Sequence, residues 1–196
     1  MKSYKADNLT EKEVYKLLSG AIIPRPIAWL TTQNADGLVN AAPFSFFTVV
    51  SSEPPIVAIS MTAMKDSVRN LLETGEGVIQ LVSSNNIEQM NQTASTLPAD
   101  ESEVLKFGIP TVNSEVVSVP AVKDSLVRFE VKLYQHLPVG KHSHLMLLEI
   151  VNFAFADDLL DAENFHVNAE KLDPVARLAG NNYAQLGRIF EIKRPK

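Results

Sequence analysis

The sequence contains no cysteine among its 196 residues. Disulfides, thiol catalysis and cysteine-ligated zinc or iron–sulfur clusters are therefore excluded. A chain without cysteine also fits the cytoplasm, where disulfides are rare, and we expect a cytoplasmic protein. The first residues, MKSYKADNLTEKEV, are polar and lack the apolar core of a signal peptide. Apolar runs long enough to span a bilayer are also missing, so we expect no membrane association.

An excess of positive charge is missing as well. Lysine and arginine total 18 against 23 aspartates and glutamates, which gives a net charge of −5 and a pI near 5.4. This balance argues against nucleic acid or an anionic membrane as a partner, although a local basic pocket remains compatible with it. Hydrophobic residues make up 45% of the chain and charged residues 21%. These values predict one globular domain over residues 1–196 that can bury its own core.

Several catalytic motifs are absent. Ser51-Ser52 and Ser83-Ser84 lack the G-x-S-x-G elbow of serine hydrolases. Neither G-x-G-x-x-G nor G-x-x-x-x-G-K-[ST] occurs, so a standard Rossmann or P-loop site is not supported. The chain has four histidines, which are His136, His142, His144 and His166. Because no further ligand stands at a fixed spacing from them, we predict no metal site.

Short apolar segments rich in Val, Ile, Phe and Thr recur along the chain. Three of them, residues 27–31, 38–50 and 56–61, are predicted strands, and Asp36-Gly37 is a hairpin signal between the first two. After the third, the polar turn 62–67 opens a helix. A helix start that presents hydroxyls, a lysine and free amides is a natural anion site. A plain β-meander followed by a capped helix would show the same pattern.

The rest of the chain continues the alternation of strands and short helices. Further strands are predicted over residues 77–83, 125–137, 144–155 and 187–192. Helices are predicted from the capping box Thr10–Glu13 to Gly20, and over residues 67–73, 85–94 and 101–107. The residues expected to be buried on the first two helices are Val14, Leu17, Leu18, Val68, Leu71 and Leu72. Many strands and few helices favour a mainly β fold, an antiparallel barrel with peripheral helices.

Five segments carry a family resemblance. They are AIIPRPIAWLTT at 21–32, DGLVNAAPFSFFTVVSSEPPIVAIS at 36–60, KDSVRNLLETGEGVIQLV at 65–82, GKHSHLMLLEIV at 140–151 and LDPVARLAGNNYAQL at 172–186. Together they resemble the flavin reductase-like family with the FMN-binding split barrel, in its flavoredoxin-like branch. The run N-x-x-P-F-S-F-F, then S-x-x-P-P and K-D-S, is specific in combination. Residues 95–120 and 157–171 match poorly.

The resemblance implies a fold and an assembly. The fold is a six-stranded antiparallel split barrel that forms a homodimer, with FMN near the dimer interface. A partner would also cover the strand edges that a split barrel exposes. Asn40 and the loop through Pro43, Ser45 and Phe46 would lie beside the isoalloxazine ring.

The resemblance also assigns five residues between positions 60 and 67 to the flavin site. Ser60, Met61 and Thr62, at the end of the following strand, would line the ring and the ribityl chain. Lys65 and Ser67 would hold the phosphate, with serine where the family commonly has threonine. A charged, amide-rich turn suits that phosphate.

The resemblance implies four further flavin-site residues in the second half of the chain. His144 matches the histidine of the family's G-x-H strand. Arg177, Asn181 and Tyr183 match a C-terminal loop that approaches the flavin of the same subunit or of the partner. Hydride transfer takes place on the flavin and requires no protein acid or base, so no catalytic residue is expected.

The resemblance leaves three functions open. The leading hypothesis is an FMN-dependent reductase that takes hydride from NADH or NADPH and passes it to a flavin or another small acceptor. The second is an FMN-containing electron carrier of the flavoredoxin type without its own NAD(P)H turnover. The third is a flavin-free, dimeric split-barrel binding module. The first two differ in whether a nicotinamide can stack on an exposed flavin face.

Overall fold

A large antiparallel sheet forms the centre of the computed structural model, which describes residues 1–195. In that part of the chain the sheet contains seven strands in the order β2-β1-β5-β8-β9-β4-β3. Its strands are β1 Ala28–Gln33, β2 Val39–Phe44, β3 Phe47–Ser52, β4 Pro55–Thr62, β5 Glu76–Leu81, β8 Val127–Val139 and β9 Ser143–Phe155. The short pairs β6 Thr111–Val112 with β7 Ala121–Val122, and β10 Ala176–Arg177 with β11 Tyr183–Ala184, lie outside it.

The helices are short and peripheral. They are α1 Glu11–Ala21, α2 Asp66–Thr74, α3 Ile87–Gln92, α4 Glu103–Lys106 and α5 Ala169–Leu172, preceded by a 3-10 turn at Ala6–Asn8. None of the helices within residues 1–195 has the length and apolar character needed to cross a membrane. The predicted capping box at the start of α1 is present. Gly75, in the left-handed conformation with φ 72°, ends α2.

The mainly β, antiparallel barrel class is confirmed, but the expected count of six strands is wrong for the main sheet. The predicted strand over residues 38–50 divides into β2 and β3, because the chain turns at Ser45 and Phe46. β2 pairs with β1 at one edge of the sheet, whereas β3 pairs with β4 at the other. Since only two residues join these edges, the sheet must curl until they are neighbours, as in a split barrel.

The predicted strand over residues 187–192 is also wrong. This segment contains no strand within the described chain, and Ile189, Phe190 and Ile192 are exposed, the last of them by 80%. A strand requires a neighbour that shares its backbone hydrogen bonds, and none is supplied to this segment within residues 1–195. Apolar residues in a short segment alone therefore did not predict strand pairing.

Burial on the first two helices differs from the expectation at four positions, one of which is Val14, which is only half-buried. Val68 and Leu71 of α2 are buried as expected, whereas Leu72 is exposed. On α1, Leu17 and Leu18 are both exposed in the single chain. The apolar stripe of α1 is present in the sequence, but the core of its own subunit does not cover it.

The two largest clusters of the core are an interior cluster and a cluster around Trp29. The interior cluster joins β1, β4, β5, β8 and β9 to the buried face of α2. The second cluster contains the fully buried Trp29 together with Met90 of α3 and Val104 of α4. Trp29 Nε1 donates to Thr93 Oγ1 at 3.0 Å. This hydrogen bond anchors the segment 93–97, which forms one wall of the site described next.

Candidate functional site

A cavity of about 320 Å³ opens at the start of α2, and we call it the α2 pocket. β2 contributes Asn40 and Pro43, the α2 start contributes Lys65 and Ser67, and the segment 93–97 with Glu103 closes the other side. Residues 64–67 of the predicted strand-turn-helix segment therefore line a pocket, and their role as an anion site stays a prediction.

The start of α2 presents unused hydrogen-bond donors to this pocket. Lys65 occupies the N-cap position, and no side chain in residues 1–195 caps the helix. The backbone N–H groups of Asp66 and Ser67 have no acceptor within the described chain. Ser67 is 3% exposed and lines the pocket. The N-terminal end of the helix dipole adds positive potential at the same place.

The acidic side chain at this helix start is neutralised by its neighbour. Asp66 accepts a hydrogen bond from the Arg69 guanidinium, which also donates to the Met64 carbonyl oxygen at 2.8 Å. The ammonium of Lys65 is exposed and belongs to none of the ion pairs formed within the described chain. The mouth of the pocket is therefore a cationic, amide-rich surface.

A buried polar network forms the floor of the α2 pocket. Asn70 Nδ2 donates to Thr32 Oγ1 at 3.1 Å and to Asn40 Oδ1 at 3.2 Å. Asn40 Nδ2 in turn donates to Glu103 Oε2 at 3.2 Å, and the Ala41 amide donates to the same oxygen. Because both ends of the Asn40 amide are held, its orientation toward the pocket is fixed.

Sequence reasoning missed Asn70 and Glu103. Glu103 lies in the segment 95–120, where the family resemblance is weak, and its partner is 63 residues away in the chain. Asn70 lies on α2, and the prediction of that helix was based on its apolar residues. A polar residue on the buried face of α2, four positions before Thr74, was the available signal.

A second cavity of about 410 Å³ adjoins the first, and we call it the C-terminal-loop pocket. The two cavities share Pro43 and Ala94. Five predicted site residues line the second cavity, which are Pro43, shared with the α2 pocket, and Ser45, Arg177, Asn181 and Tyr183. The structure thus gathers eight of the predicted residues around two connected cavities.

The other predicted residues do not line either cavity. Ser60, Met61 and Thr62 are on β4, and the Met61 side chain is only 1% exposed because it points into the core. Only the backbone of Met61 is then available to a ligand. Phe46 is exposed at the turn after β2, where its ring centre lies 6.3 Å from that of Tyr15. Their predicted contact with a flavin stays a prediction.

His144 is the remaining predicted residue, and it lies opposite Met61 in the pairing of β9 with β4. Its Nδ1 is 2.9 Å from Nε2 of His136. At least one of the two imidazoles must be neutral to accept this hydrogen bond. Its predicted role beside the flavin also stays a prediction.

Arg25 is a further residue that the sequence reasoning did not assign to the site. It is 6% exposed, and its guanidinium donates to the carbonyl oxygens of Ser19, Ile22 and Leu178 and to Ser45 Oγ. Its backbone also pairs with Arg177. Arg25 therefore ties the end of α1, the β2–β3 turn and the C-terminal loop together. The sequence feature that could have indicated this role is a single arginine between Pro24 and Pro26.

Comparison with known proteins adds the family. The model for the flavin reductase-like domain matches residues 19–172. Nitrilotriacetate monooxygenase component B from Bacillus cereus is 38% identical, with a TM-score of 0.95 over 98% of each chain. The 2-nitrobenzoate 2-nitroreductase of Pseudomonas fluorescens is 30% identical, with a TM-score of 0.93 over 99% of this chain and 96% of that one.

The fold extends to flavoredoxins. The flavoredoxin of Desulfovibrio vulgaris (Miyazaki F) is 21% identical, with a TM-score of 0.78 over 98% of this chain and 96% of that one. At that identity the likeness shows the shared fold, and it confirms the expected split-barrel relationship. The chain belongs to the flavin reductase-like family.

Proposed function

We propose that the α2 pocket binds FMN and that the protein is an FMN-dependent reductase. Hydride would come from NADH or NADPH and pass to a flavin or another small acceptor. The observation that supports this most directly is the uncapped start of α2, whose donors face a pocket beside Lys65. Ser67 is buried, and an N–H group without an acceptor at a buried position is costly, so a ligand rich in acceptor oxygens is expected there.

The donor set suits a phosphate ester. The N–H groups of Asp66 and Ser67, the Ser67 hydroxyl and the Lys65 ammonium lie on one turn of chain. Asp66 is the acidic residue nearest to them in sequence, and its pairing with Arg69 reduces its repulsion of an anion. Charge-assisted hydrogen bonds to phosphate oxygens are roughly twice as strong as neutral ones.

Bound FMN would supply the redox chemistry, and the chain would hold and orient it. Asn40, fixed by Asn70 and Glu103, presents one remaining N–H and one remaining lone pair for a polar ring edge. Pro43 and Ala94 give an apolar wall between the cavities. Each of these groups binds or positions, and none has to transfer a proton.

We also propose that two copies of the chain form a homodimer. Leu17, Leu18 and Ile22 of α1 and the adjoining turn are exposed, and Val49 on the edge strand β3 is 74% exposed. Apolar groups at an unpaired sheet edge are normally covered. Sedimentation velocity at low micromolar concentration should show a dimer, whereas a single species of 21.6 kDa would contradict the proposal.

The test of function is the visible absorption spectrum of the purified protein, recorded anaerobically after reconstitution with FMN. We expect flavin absorption that stays with the protein on gel filtration and bleaches on addition of NADH or NADPH. Bound flavin that bleaches with dithionite but not with either nicotinamide would instead support an electron carrier. Failure to retain FMN at all would support a flavin-free binding module and overturn the proposal.

A further inference from the structure

The C-terminal-loop pocket combines positive charge with an apolar wall. Two arginines, Arg25 and Arg177, line it, and within residues 1–195 no aspartate or glutamate does. Neither arginine takes part in an ion pair in the described chain. In a protein with a net charge of −5, a cavity with two uncompensated cations is unusual and attracts anions.

The charge of Arg25 is buried without an anionic partner. Its guanidinium uses four N–H groups on three carbonyl oxygens and one hydroxyl. Ser19 and Ile22 contribute carbonyls at the end of α1, where the helix dipole is negative. These neutral acceptors satisfy the hydrogen bonds of Arg25, but its full positive charge remains beside the cavity.

Arg177 is held in one orientation and still has donors to offer. Its guanidinium carbon lies 4.5 Å from the centre of the Tyr183 ring. It donates to the Tyr183 hydroxyl and to the Gly180 carbonyl oxygen. A guanidinium has five N–H groups, so three remain. A planar fork that is already oriented matches the two oxygens of a carboxylate.

The remaining walls suit an aromatic ring. Ile27 and Met90 are buried, and Pro43 and Tyr15 add further apolar surface. The cavity of about 410 Å³ is larger than one carboxylate or phosphate requires. It falls in the range of small-molecule sites, which combine apolar walls with a few polar anchors.

We propose that the C-terminal-loop pocket binds a small aromatic carboxylate, with Arg177 contacting the carboxylate and Arg25 supplying background charge. The ring lies toward Pro43 and Ala94, which the pocket shares with the α2 pocket. The ligand is therefore adjacent to whatever the α2 pocket holds. The inference concerns binding, and it holds whether or not FMN is the occupant of the α2 pocket.

The test is calorimetric titration of the full-length protein with benzoate and with its neutral analogue benzamide, at low salt and pH 7. We expect benzoate to bind at least about tenfold more tightly, as one charge-assisted interaction gives. Arg177→Gln should remove that preference, while Arg177→Lys keeps part of it. Arg188→Gln, at an exposed arginine of the tail, is the matched control and should leave binding unchanged.

Four results would overturn the proposal. Three of them are equal binding of benzoate and benzamide by the wild type, an unchanged benzoate preference in Arg177→Gln, and mutually exclusive binding of benzoate and FMN. The first uses only the wild type, so a folding defect in a variant cannot decide it. Inorganic phosphate as a third probe separates a carboxylate site from a general anion site, because phosphate binding that matches benzoate binding also counts against the proposal. Retention of FMN is measured separately, so failure here leaves the proposed function standing.

Discussion

The two longest helices begin in opposite ways. At the start of α1, Thr10 Oγ1 accepts the Glu13 amide at 3.3 Å, and Glu13 Oε2 accepts the Thr10 amide at 2.8 Å. At the start of α2, Lys65 provides no side-chain cap, and neither does any other residue of the described chain. The first start lies on the surface and the second lines a cavity.

The loop at residues 115–117 is a third group of amides and resembles the start of α1. The amides of Glu115, Val116 and Val117 all donate to the buried carboxylate of Glu130, at 2.9, 2.6 and 3.0 Å. Asn152 Nδ2 donates to it as well. In two places, therefore, the chain satisfies its clustered amides with its own carboxylate. The start of α2 has no such carboxylate within the described chain, and the proposed FMN phosphate would supply the anion there.

The largest expected effect on stability is at Glu130, because its carboxylate accepts the amides of residues 115–117. Glu130→Gln replaces an ionised acceptor of four hydrogen bonds by a neutral amide whose NH2 faces donors. We expect the free energy of unfolding to fall by about 3 kcal/mol at pH 7. Denaturant titration followed by circular dichroism measures it. Glu101→Gln, which removes an exposed pair with Lys106, is the control and should cost less than about 1 kcal/mol.

The same variant has a defined pH dependence. Burial raises the pKa of Glu130, but the hydrogen bonds from the loop amides and Asn152 outweigh it, so its pKa lies below the usual value of 4.5. A lowered pKa means that Glu130 stabilises the fold fully above pH 4.5 and loses this contribution as the pH falls through the folded-state pKa. The stability difference between wild type and Glu130→Gln should therefore shrink below pH 4.5. A difference that stays constant down to pH 3 would contradict the assignment.

The second prediction concerns the FMN phosphate that we propose binds at the start of α2. Lys65→Ala should weaken FMN binding about tenfold to a hundredfold, because a charge-assisted hydrogen bond contributes roughly 1.5–3 kcal/mol. Riboflavin, which has no phosphate, should bind the variant and the wild type alike. Fluorescence titration of both flavins measures this.

The control is Lys12→Ala, at an exposed lysine of α1, which should leave the affinities for both flavins unchanged. Added salt should reduce the preference for FMN in the wild type more than in Lys65→Ala. Equal losses for both flavins would indicate a folding defect. No loss for either would place the phosphate elsewhere.

A smaller effect is expected at the Ser67 hydroxyl. Ser67→Ala removes one neutral donor and should weaken FMN about threefold to tenfold, since such a bond contributes roughly 0.5–1.5 kcal/mol. Ser67→Thr keeps the hydroxyl and should retain most of the affinity. The same fluorescence titration checks both variants, and a Ser67→Thr loss as large as that of Ser67→Ala would show that packing at this buried position, rather than the hydroxyl, is responsible.

The site could be predicted from sequence where its residues are close in the chain. Lys65 and Ser67 follow a recognisable strand and precede a recognisable helix, so their position at a pocket was foreseeable. The partners that fix the pocket, such as Glu103 for Asn40 and Leu178 for Arg25, are 63 and 153 residues away. Local periodicity carries no information on such pairs. The segment 187–192 shows the opposite limit, because its apolar residues suggest a strand and no strand within the described chain pairs with it.

The smallest expected effect returns to the start of α1. Thr10→Ala removes the hydroxyl that accepts the Glu13 amide, and loss of an N-cap typically costs about 1 kcal/mol. Because this helix start is capped internally and lies on the surface, FMN binding should not change. Ser67→Ala should show the converse, with weaker FMN binding and little loss of stability, since its hydroxyl makes no hydrogen bond within residues 1–195. Denaturant midpoints and FMN affinities of both variants, compared side by side, check this. If Thr10→Ala weakened FMN as much as Ser67→Ala did, an uncapped helix start would not mark the ligand site in this protein.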